Sequence, residues 1–511
     1  MKMGPSLLAA YVVLLLIFGV HGTSTSGQIT LQADVPPLEI LPIIISGPPE
    51  NRIDFTFFAD GYLQSERDKF VSDVTRLAED ISQNQTFNTV QPLMNFWAAF
   101  TPSNQSGIGF NEPGDTAFGS YRYKTGYRVV VAGYQDIAKA ARDSMGAKCD
   151  FPIVLANDPY YGGLDGEITS ITSSLVNGAL VLRHELGHSI LGVGEEYDGG
   201  GEEYWGSNSA NTTERASLPW AQWLSDSSRV GNQSNPRVER STMPLLDYPW
   251  ATLNTSTPWK VNFESSGDYH RYQVQFSVAS LPNRGDLKVT LDGSPIDWVP
   301  KDGVGLDRWF YAFNFNEGLK NGTHTVQFEL LNSEWNGKAQ LASVEVVEYG
   351  NEDEFKLEPG FYGLYPTHAE SENTTTYRPT NNDCLMRNVT VPQLCKSCME
   401  TLWNNFLGNI SLVDNITESC TGTQKVLDLH LLPLAQFRGI PVTPKEAYTI
   451  TWKKGGEPLE NFKNQTRVLV DGDEAIGTYS IHVKFSTEEV RKPSSGLEKD
   501  VEYEVKIACP A

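Results

Sequence analysis

The sequence has few basic residues and no cluster of them. Over 511 residues, 40 Lys and Arg stand against 63 Asp and Glu, which gives a formal net charge of −23 and a pI near 4.8. Nucleic-acid-binding proteins need a basic face that displaces counterions from the phosphate backbone. The composition therefore excludes a nucleic-acid partner, and we interpret the acidic charge as a solubility feature.

Long hydrophobic runs are absent after the first residues. One early lysine, an apolar run from Leu7 to Val20 and small residues around Gly22 have the layout of a signal peptide over residues 1–22. A transmembrane anchor is the alternative, but the run is shorter than the ~20 residues that a helical span needs. No second hydrophobic segment follows. We therefore expect a secreted, extracellular protein without a membrane anchor.

Cysteine is scarce, with six residues in the chain. An even number in a secreted protein permits three disulfide bonds. The CKSC stretch at Cys395 and Cys398 could instead be half of a four-cysteine zinc ribbon, but no second CxxC occurs. We therefore expect disulfides. The cysteines are Cys149, Cys384, Cys395, Cys398, Cys420 and Cys509.

Sequons of the form N-x-S/T are spread over most of the chain. A single sequon is weak evidence, but many of them behind a signal peptide predict a heavily glycosylated surface. They begin at Asn84, Asn104, Asn211, Asn232, Asn254, Asn321, Asn373, Asn388, Asn409, Asn415 and Asn464.

The N-terminal part has a mixed α/β pattern. RIDFTFFADGY, from Arg52, is typical of a buried strand, and the apolar residues Phe70, Val74, Leu77 and Ile81 then mark one face of a helix. Further strands are predicted at 127–134 and 152–157. The GGLDGEITSITSS segment has the polar, Ser/Thr-rich character of an edge strand.

After about residue 259 the pattern changes to short runs rich in β-branched and aromatic residues, separated by Gly, Asn and Asp turns. This pattern predicts a β-sandwich. The rhythm is lost between about residues 353 and 407 and then returns, which predicts a second, C-terminal β-sandwich.

The stretch ALVLRHELGHSIL predicts a helix that carries HELGH. At 3.6 residues per turn, His184 and His188 lie one above the other, so both imidazoles can bind one Zn²⁺. Glu185 lies about 100° further round the helix. There it can take a proton from a metal-bound water without occupying the metal.

A catalytic zinc needs a third protein ligand from outside this helical face. Gly192 and Gly194 can end the helix and turn the chain back toward the histidines. Glu195 is the favoured ligand because it comes three residues after the Gly192 bend. Glu196 is the alternative.

The string HELGHSILGVGEEY resembles the zinc signature of the IgA-peptidase-type metallopeptidases, the igalysins of the metzincin group. RIDFTFFADGY resembles that family's opening strand. The resemblance implies that His184, His188 and Glu195 bind zinc and that Glu185 is the general base. The family's acidic ligand is commonly aspartate, whereas Glu195 is one methylene longer.

The segment YRPTNNDCLMRN resembles the family's methionine turn, which implies that Met386 lies beneath the metal. Met243 in STMPLLDYPW is the alternative methionine. The resemblance also implies that the first β-sandwich is inserted between the zinc helix and the methionine turn.

Together these observations predict a multidomain α+β protein, with a metzincin-like α/β catalytic domain, an inserted β-sandwich and a C-terminal β-sandwich. The predicted division is a signal peptide at 1–22, a first catalytic part with the zinc helix at 45–258, the inserted sandwich at 259–350, a second catalytic part with the methionine turn at 351–410, and the C-terminal sandwich at 420–511.

The predicted function is that of a secreted zinc-dependent endopeptidase acting on extracellular proteins or peptides. We expect the substrate backbone to pair with the edge strand near GEITSITSS, since a strand edge offers amide partners to an extended peptide. The alternative is a catalytically inactive or non-enzymatic secreted glycoprotein that binds glycans or proteins through its β-sandwiches.

Overall fold

The computed structural model describes residues 35–84, 86–123, 129–199, 204–225, 235–368, 375–442 and 444–510. The predicted signal peptide lies outside these residues. The described chain is a mixed, strand-rich structure with several sheets, as expected of a multidomain α+β protein. No helix within the described ranges is long and apolar enough to cross a membrane.

The N-terminal region alternates strands and helices, as its sequence pattern predicts. Its elements are β1 (Glu39–Ile44), β2 (Ile53–Asp60), α1 (Arg67–Glu79), β3 (Met94–Phe100), β4 (Gly109–Phe110), β5 (Ser120–Arg122), β6 (Val130–Ala132), α2 (Gln135–Ser144), β7 (Phe151–Ala156), β8 (Gly163–Leu164), β9 (Thr169–Thr172) and α3 (Gly178–Leu191). The strand predicted at 127–134 is shorter than expected, and its first residues lie outside the described chain.

Six strands form the main sheet of this region, in the order β1-β3-β2-β7-β9-β8. Strands β3, β2, β7 and β9 are parallel, whereas β8 runs antiparallel to β9. Every residue of β2 is buried, because helices cover both faces of a parallel sheet. Phe70, Val74 and Leu77 of α1 are fully buried in the same core, as their spacing predicts.

The prediction of an edge strand in GGLDGEITSITSS is correct in part, because the segment contains two strands and only the first, β8, is the edge. Its Ser/Thr-rich part, β9, has β7 on one side and β8 on the other. All four residues of β9 are buried, which explains its small Ser and Thr side chains as close packing under α3 rather than exposure. The edge belongs to β8, a two-residue strand in a Gly-rich segment too short to show a strand pattern in the sequence.

The middle region consists of β10 (Ser241–Asp247), β11 (Ala251–Thr252), β12 (Trp259–Ser265), β13 (Arg271–Ala279), β14 (Leu287–Leu291), β15 (Ser294–Ile296), β16 (Trp309–Phe315), β17 (Gly322–Leu330) and β18 (Gln340–Tyr349). One sheet has the order β10-β18-β13-β16 with β11 beside β18, and the other has the order β12-β17-β14-β15. The two sheets share one apolar core built around Val274, Phe276 and Phe328.

A third segment returns to the first region through β19 (Tyr365–Pro366), β20 (Tyr377–Arg378) and α4 (Lys396–Asn409). Helix α4 packs against α3, and Asn405 Nδ2 donates to the carbonyl of Ile190 at 2.9 Å, at the end of α3. This contact holds the C-terminal end of α3 in place.

The C-terminal strands are β21 (Val413–Thr421), β22 (Gln424–Leu431), β23 (Glu446–Lys454), β24 (Glu457–Pro458), β25 (Arg467–Asp471), β26 (Gly477–Thr487) and β27 (Glu498–Val505). They form one sheet with the order β21-β22-β25 and another with the order β24-β23-β26-β27. Their core is continuous with that of the first region through Trp403 and Leu407 of α4.

The prediction of disulfides is confirmed for one of the three bonds that six cysteines permit. Cys420 and Cys509 are joined by a disulfide, which ties β21 to the chain after β27. The other four cysteines have free thiols. Three of these, Cys384, Cys395 and Cys398, are fully buried beside one another, and an odd group of thiols cannot be paired completely.

Candidate metal centre

Helix α3 carries both histidines of HELGH on one buried face. The helix spans Gly178–Leu191, close to the predicted bounds. The Nε2 atoms of His184 and His188 lie 3.3 Å apart, and both rings are buried. The other nitrogen of each ring faces a backbone carbonyl: His188 Nδ1 lies 2.8 Å from the oxygen of Val193, and His184 Nδ1 lies 3.3 Å from that of Leu385.

The chain reverses direction immediately after α3. Gly192 adopts a left-handed conformation with φ of 61°, which a residue with a Cβ rarely accepts, and it ends the helix. Glu195 then points back at the histidines. Its Oε1 lies 3.1 Å from His188 Nε2, and its Oε2 lies 3.2 Å from His184 Nε2. The structure therefore brings together the three residues that the sequence singled out as ligands, and the three could hold a metal ion.

Glu196 points away from the histidines into a different buried environment. Its Oε1 accepts a hydrogen bond from Asn208 at 3.1 Å, and its backbone N–H donates to the carbonyl of Met386 at 3.1 Å. Burial, reinforced by the neighbouring Cys384, raises its pKa well above the ordinary value. Of the two adjacent glutamates, only Glu195 contacts the histidines.

Glu185 lies beside the two histidines at the wall of a cleft. A Cβ on Gly163 of β8 would come within 3.0 Å of Glu185 Oε1, so the glycine lets the strand approach this carboxyl group closely. Burial raises the pKa of Glu185 to about 7, although His184 and His188 act in the opposite direction.

The three converging side chains are electrostatically coupled. Burial acts to lower the pKa of His188, but its hydrogen bond to Glu195 and that carboxylate's charge raise it to about 10. Burial acts to raise the pKa of Glu195, but the charges and hydrogen bonds of the two histidines bring it below its ordinary value. A carboxylate held ionised beside two imidazoles is a suitable donor set for a divalent cation.

Met386 lies directly against the helix between the two histidines. A Cβ added to Gly187 would come 2.3 Å from Met386 Sδ, so only glycine allows this packing. The alternative methionine, Met243, lies in β10 and packs instead against Val347, Tyr349 and neighbouring residues of a separate small cluster. The methionine beneath the candidate centre is therefore Met386.

A cleft of about 300 Å³ opens over the three converging side chains. Glu185, Glu195 and Tyr197 line one side of it, and the edge strand β8 contributes Gly163 and Leu164. The opposite side comes from the middle region. There, Trp250 and Phe310 flank the Arg308 guanidinium, whose carbon lies 4.8 Å and 4.4 Å from the centroids of these two rings.

Sequence reasoning missed this wall and also a buried ion pair behind the centre. Arg387 Nη2 lies 2.7 Å from Asp198 Oδ2, and Arg387 Nη1 donates to the carbonyl of Glu196 at 3.3 Å. The pair ties the chain after Met386 to the turn that carries Glu195. Both partners lie next to segments that the sequence analysis had singled out, since Asp198 follows GEEY and Arg387 follows Met386.

Comparison with known protein families decides which family this region represents. Residues 41–238 match the family model described as IgA peptidase M64. This region is similar to the IgA peptidase M64 family. The resemblance inferred from HELGHSILGVGEEY is therefore confirmed, and the family is one of peptidases, that is, of hydrolases. The matched M64 region contains His184, Glu185, His188 and Glu195, whereas Met386 lies beyond its end.

Other comparisons add little to the M64 assignment. A search of curated protein sequences finds no match. Among solved structures, a ruminal GH26 endo-β-1,4-mannanase shares 21% identity over 22% of this chain and 21% of its own, with a TM-score of 0.15. A family 35 carbohydrate-binding module from Clostridium thermocellum shares 12% identity over 21% of this chain and 90% of its own, with a TM-score of 0.13. Likenesses at these TM-scores carry no argument about this protein.

Proposed function

We propose that this protein is a secreted, zinc-dependent metalloendopeptidase that acts on extracellular proteins or peptides. The observation that carries the proposal is the convergence of His184 Nε2, His188 Nε2 and the Glu195 carboxylate beside Glu185, at a cleft within a peptidase family region. The predicted signal peptide and sequons support the secreted state.

The hydrogen bonds of the histidines support a cation at this point. Each Nδ1 faces a carbonyl oxygen, which can only accept, so each Nδ1 carries the ring proton. In a neutral imidazole the Nε2 atom then presents a lone pair that can bind a metal ion. Both Nε2 atoms and the Glu195 carboxylate are directed at one another within 3.3 Å, so one cation could contact all three side chains.

The spacing of the donors supports zinc. Tetrahedral zinc with ligand bonds near 2.0 Å separates its nitrogen and oxygen ligands by about 3.3 Å. The two Nε2 atoms lie 3.3 Å apart, and the two carboxylate oxygens of Glu195 lie 3.2 Å from His184 Nε2 and 3.1 Å from His188 Nε2. Two histidines and a carboxylate are a ligand set of catalytic zinc sites, which keep a fourth position open.

The residues of the chain then divide the work of peptide hydrolysis. His184, His188 and Glu195 would hold the zinc ion, which when bound lowers the pKa of a water molecule and polarises a carbonyl group. Glu185 is not one of the three candidate ligands. Its carboxylate accepts a proton from water as the water oxygen bonds to the carbonyl carbon, and then passes the proton to the amide nitrogen as the C–N bond breaks.

The edge strand β8 supplies the docking site for the substrate backbone. Within the described residues, Gly163 and Leu164 pair with β9 alone, and Leu164 is exposed. An extended peptide can add to the other side of β8, which places it along the cleft beside Glu185. The docking predicted near GEITSITSS is thereby narrowed to β8, in the first part of GGLDGEITSITSS.

The middle region supports a role in substrate selection. Trp250, Arg308 and Phe310 line the cleft opposite the candidate ligands, so side chains of a bound peptide would contact them. Asp307 fixes this wall to the M64 region, because its Oδ2 accepts hydrogen bonds from Ser174 at 2.6 Å and from Asn177 at 2.8 Å. The division into a catalytic domain with inserted and C-terminal β-sandwiches, and the metzincin-like arrangement, form part of the same proposal.

Digestion of a proteome-derived peptide library tests the proposal. The wild-type protein and the Glu185→Gln variant are incubated with the library, and new peptide termini are identified by mass spectrometry. Glutamine keeps the size of the side chain but cannot accept the proton. We expect cleavage by the wild-type protein alone. Identical cut patterns from both proteins, or no cuts from either, would favour the alternative of a non-catalytic binding glycoprotein.

A further inference from the structure

A second group of side chains that could hold a metal ion lies next to the candidate metal centre. The carboxylate of Glu196 and the thiols of Cys384, Cys395 and Cys398 place one ligand atom each within 4.8 Å of one another. All four residues are buried, with exposed fractions of 1% or less. None of them contributes to the cleft or to the His184, His188 and Glu195 group.

Three separate parts of the chain meet in this group. Glu196 directly follows the candidate ligand Glu195, and Cys384 comes two residues before Met386. Cys395 precedes α4, and Cys398 lies in its first turn, where the helix dipole favours thiolates. The backbone N–H of Cys395 also points at Cys384 Sγ, at 3.4 Å.

Glu196 brings to the group a carboxylate with one unsatisfied oxygen. Its Oε1 accepts a hydrogen bond from Asn208 and lies 3.9 Å from Cys398 Sγ, whereas its buried Oε2 has no hydrogen-bond partner among the described residues. A buried carboxylate oxygen without a partner is costly unless a cation or a donor compensates it. A cation held with the neighbouring thiols would compensate this carboxylate.

We propose that Glu196, Cys384, Cys395 and Cys398 bind a second, structural zinc ion. Thiolate donors favour zinc over harder cations, and structural zinc sites are closed by four protein ligands. Tetrahedral zinc with Zn–S bonds near 2.3 Å separates two sulfur ligands by roughly 3.8 Å. Cys384 Sγ and Cys398 Sγ lie 3.9 Å apart, and Cys398 Sγ lies 3.9 Å from Glu196 Oε1.

The charges around the group are compatible with this ion. Three thiolates, one carboxylate and a divalent cation leave an excess of negative charge in a buried place. The fully buried guanidinium of Arg378 lies near enough to interact electrostatically with Glu196 as well as with Asp198.

A disulfide is the competing state of these cysteines. A bond between Cys384 and Cys398 would leave the Cys395 thiol and the Glu196 carboxylate buried together without a common partner. A metal ion satisfies all four groups at once. It also joins the turn that carries Glu195, the segment that carries Met386 and the start of α4, so it would fix the candidate catalytic centre from behind.

The full-length His184→Ala/His188→Ala variant isolates the second site from the first. Zinc per chain is measured by mass spectrometry of the metal, and free thiols are counted by alkylation after denaturation with a chelator. We expect one zinc per chain and four alkylated cysteines, which are Cys149 and the three cysteines of the group. Absence of zinc would overturn the proposal, whether four thiols are found or only two.

Cobalt substitution provides a second readout in the wild-type protein, so the test does not depend on the folding of that variant. A Co²⁺ ion bound by three thiolates gives strong sulfur-to-metal charge-transfer absorption, whereas a site of two histidines and a carboxylate gives none. We expect this absorption in the wild type. Glu196→Gln should shift it, and Glu195→Gln should leave it unchanged. A cobalt-loaded protein without sulfur absorption would overturn the proposal and would leave the peptidase proposal intact.

Discussion

The carboxylates of Glu195 and Glu196, neighbours in the chain, enter two different buried groups. Glu195 lies 3.1 Å and 3.2 Å from the two histidine nitrogens, whereas Glu196 lies 3.9 Å from Cys398 Sγ. Adjacent residues of an extended segment point to opposite sides, so two neighbouring glutamates can enter two different groups. Glu195 thus has a candidate catalytic role, and Glu196 has a candidate structural role.

Substitutions of this pair should have different effects on the catalytic metal. Glu195→Gln should weaken zinc binding at the histidines by more than about 100-fold, since even outer contacts to zinc ligands are worth 10–100-fold. Glu195→Asp should retain zinc and part of the activity. Glu196→Gln should keep this zinc and lower the free energy of unfolding by about 1–3 kcal/mol. Zinc affinities in the reverse order, measured by competition with a chromophoric chelator, would contradict the assignment.

Gly187→Ala should destabilise the protein although alanine favours helices. In a helix interior this change normally stabilises by about 1 kcal/mol. Here the new Cβ would come 2.3 Å from Met386 Sδ, so we expect a net loss of about 1–3 kcal/mol and weaker zinc binding. Gly408→Ala in α4 is the matched control, because its Cβ would meet nothing within 4 Å. Equal gains in melting temperature for both variants would show that Met386 does not pack as described.

Phe310→Ala should change substrate preference without changing the metal content. Phe310 lines the cleft, whereas its neighbour Trp309 does not and instead lies under the ammonium group of Lys301, at 4.7 Å. We expect kcat/KM to fall about tenfold for peptides with a large side chain at the contacted position. Trp309→Ala should leave the cleavage pattern unchanged. A parallel fall for all peptides in both variants would indicate a loss of folding rather than of selectivity.

Glu345→Gln should stabilise the protein more at pH 8 than at pH 5. Burial raises the pKa of Glu345 to about 7, with the charge of Arg387 acting against it. A carboxyl group with a raised pKa in the folded state lowers the free energy of unfolding as the pH rises from about 4.5 to about 7. We expect the gain to be about 1–3 kcal/mol larger at pH 8. Thermal unfolding at both pH values measures it, and a pH-independent difference would contradict the raised pKa.

The sequence predicted the local features of the site well. The spacing of HELGH predicted a helix with both histidines on one face, and Gly192 predicted its end, because both depend on short-range geometry. The choice between Glu195 and Glu196 depended on backbone angles beyond the bend, so Glu196 stayed an alternative. The position of Glu195 three residues after Gly192 favoured it, and its contacts with the two histidines agree.

Features that depend on long-range packing were missed or wrong. The three buried thiols come from two segments and meet the Glu196 carboxylate only when α4 packs against α3, so cysteine counting led to a prediction of disulfides. Strand β8 has two residues and shows no periodicity, so the sequence did not separate it from β9 within GGLDGEITSITSS. The wall formed by Trp250, Arg308 and Phe310 requires the middle region to dock on the M64 region, and no local pattern indicates that contact.

The proposal of a zinc peptidase with Glu185 as general base is tested by zinc content and peptide hydrolysis, measured on the same samples of the wild type, His184→Ala and Glu185→Gln. We expect Glu185→Gln to hold as much zinc as the wild type but to hydrolyse peptides about 10²–10⁴-fold more slowly, because binding the metal and moving the proton are separate tasks. His184→Ala should hold one zinc equivalent less and show no hydrolysis. A wild-type protein without zinc, or a Glu185→Gln variant that cleaves peptides at the wild-type rate, would contradict the proposal.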